Sequence, residues 1–214
     1  MNERLKNYQF ENERLKNQLN FLIEVDKMKT VLRQTVLIDK SRQETDAEHS
    51  WHFALSAVTL FEYCILEQVD LNHVIKMALV HDLIEIYAGD TFAFDVKGNE
   101  DKAEREQKAA DKLFTLLPKE QGEAFRTLWE EFEAMETPEA LYAAAIDRFQ
   151  PFLSNSVTDG HTWVKFGVRL EQVYKRMEPV KITAPILYEY VETVIADALA
   201  KGYIHNTPAC PASE

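Results

Sequence analysis

Cysteine is scarce in this chain. Only Cys64 and Cys210 occur in 214 residues, too few for a disulfide framework. Cys64 lies in an apolar helical run and reads as a buried free thiol rather than half of a bridge. A reducing, cytoplasmic setting is therefore expected. No apolar run approaches the roughly 18 residues that a membrane helix requires. The start of the chain is charged and polar, so neither a membrane span nor a secretory signal is expected. Positive charge is also short: 24 Lys and Arg stand against 36 Asp and Glu, a formal net charge of -12. That balance argues against broad contact with a nucleic-acid polymer or an anionic membrane. A small anionic ligand stays compatible with it, because one cation and one Arg reverse the field locally. Alternation of apolar and polar residues over a useful strand length is missing as well, which points to an all-α fold.

What is present suits a single domain. The length is 214 residues and 46% of them are hydrophobic, normal for a chain with a real core. Residues 2–7 read Asn-Glu-Arg-Leu-Lys-Asn, and residues 12–17 repeat them. That spacing matches neither a heptad nor an eleven-residue coil, so residues 1–20 read as a helical or disordered extension without an assigned role. From Phe21 the pattern Leu22, Val25, Met28, Leu32 predicts a helix ending near Arg33 to Thr35, then a polar connection over 36–45. Thr45-Asp46-Ala47-Glu48 matches a capping box and opens a helix running to about Glu67. Asp70 is placed as the cap of the next helix and Gly89 as its left-handed stop. Residues 91–100 read as loop, and helices follow over 101–117 and 119–136. Another opens at Thr137-Pro138 and should kink or end at Pro151. Residues 156–165 look irregular, 167–177 helical up to Pro179, and 184–201 helical up to Gly202. The packed domain thus spans 21–202, and 203–214 read as a frayed tail.

The stretch from Val74 to Asp90 organises the rest. It is apolar on most sides to Ile86, which marks a helix buried in a larger protein. His81, Asp82 and Glu85 interrupt it. Their spacings of four and three place them on one side of a helix, and buried ionisable groups need partners. A divalent cation would satisfy all three together. Two other helices bring similar groups. His49 sits in the first turn after Thr45, and Asp147 follows Ala143-Ala144-Ala145-Ile146, a small and apolar approach to a lone carboxylate. Each has an ordinary alternative. His81 could bond a neighbouring helix, His49 could face solvent, and Asp147 could pair with Arg148 or with a neighbouring helix.

The order His, then His-Asp, then Asp resembles the HD-domain metal phosphohydrolases. Glu44-Thr-Asp-Ala-Glu-His49-Ser-Trp51 and His81-Asp-Leu-Ile-Glu85-Ile-Tyr-Ala-Gly-Asp90 look like the 5'-deoxynucleotidase subgroup, and Ala145-Ile-Asp147-Arg-Phe-Gln-Pro151 fits its third motif. The resemblance covers roughly residues 21–202 and implies an all-helical core. It implies one divalent metal, Mn, Co, Fe, Ni or Mg, held by His49, His81, Asp82 and Asp147. Glu85 is then the general acid or base, and Asp90 the partner of the sugar 3'-hydroxyl. Arg33 resembles the phosphate-binding Arg, with Arg42 as its rival. Gln34 follows Arg33, where some members carry Trp. Trp51 reads as core rather than as a platform for a base. The implied reaction is hydrolysis of deoxyribonucleoside 5'-monophosphates by a homodimer. Its alternatives are another nucleotide or phosphomonoester at the same site, or a non-catalytic helical module with a structural metal.

Overall fold

The computed structural model describes residues 11–95 and 97–206. Asn12 accepts a hydrogen bond from the Leu15 backbone and opens α1 (Glu13–Val25). The second copy of the repeat therefore supplies the cap and first turn of that helix; the first copy lies outside the described residues. α1 stops at Val25, short of the expected Arg33. A 3-10 turn, Asp26–Thr30, leads into β1 (Leu32–Val36), which pairs antiparallel with β2 (Gln43–Thr45). Val31, Thr35 and Val36 are β-branched and favour extended backbone, and Thr35 and Val36 are buried. The hairpin is too short to leave an alternating signature in the sequence, yet it places Arg33 on a strand.

α2 (Asp46–Thr59) opens with both bonds of the expected capping box between Thr45 and Glu48. It ends at Thr59 rather than Glu67, and a 3-10 turn, Phe61–Tyr63, follows. Cys64 comes next as a free thiol, half-buried rather than fully so. Trp51 is not core: it is 64% exposed. His49 and Phe53 point inward, and two residues along a helix is about 200°, the far face. α3 (Leu71–Val80) is capped by Asp70 as expected, but it does not continue to Ile86. From His81 the backbone tightens, with Leu83 donating to Val80 O and Glu85 to Asp82 O. The His81 ring bonds the Ala78 carbonyl, the group an Asp82 N–H would use in a continuous helix. α4 (Glu85–Ala88) then ends at Gly89, the expected stop, whose φ of 77° with ψ of 146° is a positive-φ conformation open to glycine rather than the left-handed helical one.

The second half comprises α5 (Lys102–Phe114), α6 (Lys119–Ala134), α7 (Pro138–Val157), α8 (His161–Phe166), α9 (Leu170–Thr183) and α10 (Pro185–Ala200). α7 is the axis of the molecule. Ala143, Ala144 and Ala145 are all buried, and their small side chains let neighbouring helices approach closely. Pro151 does not end α7, nor Pro179 α9. Buried neighbours such as Phe149, Phe152, Met177 and Val180 hold both helices through the missing donors. The stretch 156–165, expected to be irregular, contains the end of α7 and most of α8. One apolar cluster joins α2, α3, α7, α9 and α10 around Phe53, Met77, Tyr142 and Ile146. A second joins α1, α5 and α6 to the end of α3 through Phe21, Ile84, Leu113 and Trp129. Ile204, past Gly202, is buried in the first cluster. No helix among the described residues is long and apolar enough to cross a membrane.

Candidate active site

Three segments deliver the sequence-predicted groups to one place. α2 brings His49, the turn after α3 brings His81 and Asp82, and α7 brings Asp147. His49 Nε2 lies 3.0 Å from Asp147 Oδ1 and 3.8 Å from Asp82 Oδ2. His81 Nε2 lies 3.0 Å from Asp82 Oδ2 and 3.8 Å from Asp147 Oδ1. The other ring nitrogens are committed elsewhere. His81 Nδ1 sits 3.0 Å from the Ala78 carbonyl, which can only accept, so Nδ1 carries the proton. Gln150 Nε2 donates to Glu44 at 3.0 Å, so its Oε1 faces His49 Nδ1 at 2.9 Å and accepts from it. In the neutral rings both Nε2 atoms therefore present lone pairs to carboxylate oxygens. Such a quartet repels itself unless a proton or a cation lies within it.

Both outcomes leave traces. Burial opposes charge on His81, yet the Asp82 carboxylate raises its pKa. Burial likewise works against Asp82 and Asp147, but the charge of His81 and the bond from His49 hold them well below the usual carboxylate range. His81 Nε2 is buried and, despite the nearby oxygen, has no hydrogen-bond partner. Two imidazole nitrogens and two carboxylate oxygens suit a borderline divalent ion. Bonds of about 2.1 Å put adjacent donors roughly 3.0–3.4 Å apart, close to the spacings here. The residues fit the group.

Arg33 reaches this quartet from β1. Its Nη1 is 2.8 Å from Asp82 Oδ2, 3.6 Å from Asp46 and 3.9 Å from Asp90, and its Nε is 3.9 Å from Glu44. Burial opposes its charge, but Asp82 and Asp90 hold the guanidinium firmly protonated. Arg42 instead forks onto Glu48 at the surface. Glu85 is buried, and its Oε2 has no hydrogen-bond partner. Burial, reinforced by Asp82 and Asp46, pushes it well above the ordinary carboxylate range. Burial and Asp82 also push Asp46 up to about 7, and burial raises Asp90. Carboxylate oxygens of Asp46, Glu85 and Asp90 lie within 4.8 Å of one another. Asp82, Glu85 and Asp147 line a cavity of about 280 Å³ that Arg33, Asp90 and the ring of Phe92 also bound. That volume suits a small ligand.

Residues 25–185 match the HD domain family, a span that includes the whole quartet. The chain belongs to the HD domain family. A crystal structure described as a predicted metal-dependent phosphohydrolase from Magnetospirillum magnetotacticum MS-1 is 45% identical, with a TM-score of 0.86 over 92% of this chain and 98% of that one. The 5'-deoxynucleotidase HDDC2 of Bos taurus is 30% identical over 142 residues, 66% of this chain and 67% of its own. That of Homo sapiens is 29% identical over 139 residues, 64% of this chain and 66% of its own. A conserved hypothetical protein from Pyrococcus furiosus, 20% identical with a TM-score of 0.55, shares the fold alone. This HD protein is an enzyme, a phosphohydrolase of the metal-dependent kind.

Sequence reasoning passed over several residues of the HD site. Gln150 and Glu44 stand inside the quoted motifs but carry no obvious chemistry; Gln150 shares a helix face with Asp147 three residues earlier, which is the signal that finds it. Arg176 comes from α9 and bonds Asp147 Oδ2 at 3.4 Å, with no local signal. Arg148, offered above as an ion-pair partner of Asp147, donates instead to Met135 Sδ at 3.1 Å. Burial and the charge of Arg176 bring it down to about 10.

Proposed function

We propose that this HD protein hydrolyses deoxyribonucleoside 5'-monophosphates to deoxynucleoside and phosphate. The observation that carries the reading is the meeting of His49, His81, Asp82 and Asp147, the last three of which line one cavity with Glu85 and Arg33. Relatives in Bos taurus and Homo sapiens bearing the name 5'-deoxynucleotidase support the substrate class.

In this reading the quartet holds one divalent ion, Mn, Co, Fe, Ni or Mg. When bound, such an ion lowers the pKa of a water and polarises the phosphoryl group. Gln150 and the Ala78 carbonyl fix the two tautomers, so that both Nε2 atoms point inward. Arg33 offers its charge to the phosphate oxygens. Glu85 holds a proton on a buried carboxyl and gives it to the departing 5'-oxygen as the bond from that oxygen to phosphorus breaks, and the carboxylate so formed takes up the proton that the water releases as its oxygen bonds to phosphorus. Asp90, just past Gly89, accepts from the sugar 3'-hydroxyl.

Phosphate release from dAMP, dGMP, dCMP, dTMP and AMP with added Mn or Co tests the proposal. Inertness toward all four deoxynucleotides with metal bound would overturn it, and preference for AMP would move the substrate to ribonucleotides. Glu85→Gln should lower kcat by roughly 10²–10⁴ with folding and metal content retained. Undiminished turnover in that variant would remove Glu85 from the mechanism. The homodimer implied by the resemblance belongs to the same proposal, and sedimentation analysis decides it.

A further inference from the structure

We propose that Arg148 is a second guanidinium gripping the substrate phosphate, with Arg176 completing the same cationic wall behind Asp147. The inference rests on the phosphomonoesterase reading above, and it adds a binding group where that reading relies on Arg33 alone.

Arg33 is already heavily engaged. It bonds Asp82 at 2.8 Å, and Asp46, Asp90 and Glu44 lie within 3.9 Å of its nitrogens. A ligand taking Arg33 away would strip compensation from several buried acids at once. Arg148 is in the opposite condition. Among the described residues no carboxylate forms an ion pair with it, and the acceptor it has is the Met135 thioether at 3.1 Å, a weak one. Met135 closes α6 with a positive φ of 51°, which sets its sulfur against the guanidinium. A thioether orients the fork without neutralising it.

Arg148 and Arg176 both line the cavity, and Arg176 has the single carboxylate of Asp147 at 3.4 Å. The Oδ1 atom of that same carboxylate faces the two histidines, so its charge is shared. Glu133 also lines the cavity, where Lys102 is the cation that acts on it most strongly. Asp147 and Glu133 act on Arg148 only through space, so its fork faces the cavity without an ion-pair partner among the described residues, one residue along α7 from Asp147. A phosphate beside Asp147 meets a planar fork able to take two of its oxygens. The quartet thus lies between two cationic arms, Arg33 on the Asp82 side and Arg148 with Arg176 on the Asp147 side.

Calorimetric titration of orthophosphate into the manganese-loaded protein tests this without turnover. Arg148→Gln should weaken orthophosphate at least about tenfold, the scale of a charge-assisted hydrogen bond, at unchanged manganese content and melting temperature. Arg148→Lys should recover part of the loss, since it returns charge without the fork. With a cleavable monophosphate, Arg148→Gln should raise KM more than it lowers kcat. Equal orthophosphate affinity in wild type and Arg148→Gln would overturn the proposal. Should Arg148→Gln not fold, a crystal structure of the wild-type protein with orthophosphate or vanadate decides. An oxyanion within hydrogen-bond distance of Arg148 supports the assignment, and one held by Arg33 alone refutes it. A protein that binds orthophosphate through Arg148 yet cleaves no nucleotide keeps this inference and sinks the substrate reading.

Discussion

Gln150 determines which nitrogen of His49 is left to face the carboxylates. Its amide is locked because Glu44 accepts from Nε2, so Oε1 must take the His49 proton. Gln150→Leu removes that acceptor at a site only 1% exposed and frees the ring to change tautomer. Affinity for Mn or Co should fall by about 10–100-fold, as measured by competition with a chelator. An unchanged affinity would show that the ring is oriented by packing alone. The quartet was legible only from its three motifs taken together, because His49, His81 and Asp147 each have an ordinary alternative when taken singly. Gln150 was not, since a glutamine on a helix face is unremarkable until its partners are known.

α2 shows how much a local signal settles. Thr45 and Glu48 exchange bonds at its first turn, and the turn carries His49 with it. Thr45→Ala should cost about 1 kcal/mol of stability, read from a denaturant midpoint. Arg42 and the Thr45 backbone hold Glu48 down from 4.5 to about 2. Its stabilisation is therefore full above pH 4.5 and fades as the pH falls toward about 2. Glu48→Gln should flatten that part of the acid limb of a melting-temperature profile, modestly, because the pair faces solvent. An unaltered limb would mean the pair contributes nothing. At the contact of α5 with α6, a Cβ on Gly122 would meet the Phe114 carbonyl at 2.3 Å. Gly122→Ala should lower stability by about 1–3 kcal/mol in the same assay, through forced separation of the two helices. The caps at Thr45, Asp70 and Thr137 were readable because they depend on a few adjacent residues, whereas the early ends of α1 and α2 were not. The break after α3 and the passage of α7 through Pro151 were not, because a ring-to-carbonyl bond and packing from other helices decide them.

Across the whole molecule, acids outnumber bases where the cavity meets the core. Asp46, Glu85 and Asp90 crowd together, and Asp82 and Asp147 face two histidines. A cation bound there relieves repulsion that the folded chain otherwise bears, so it favours the folded state. Adding Mn or Co should raise the melting temperature, and chelation should reverse the rise. At a hundredfold excess over Kd the gain is about 2.7 kcal/mol. Calorimetry with and without chelator checks this, and identical transitions would argue against a bound ion. Asp147→Asn should lose most of the increment.

Periodicity, caps and the oddity of buried charge lie in neighbouring residues, so the sequence alone determined an all-α chain and nominated the groups of the site. Convergence does not lie there: His49 and Asp147 meet across 98 positions only because α2 and α7 pack together. Packing also set Arg33 beside Asp82 and Arg42 on Glu48 at the surface, turned Trp51 outward and set Arg148 and Arg176 on one wall. Those outcomes depend on which faces bury against which, a sum of contacts among distant segments that no local pattern records.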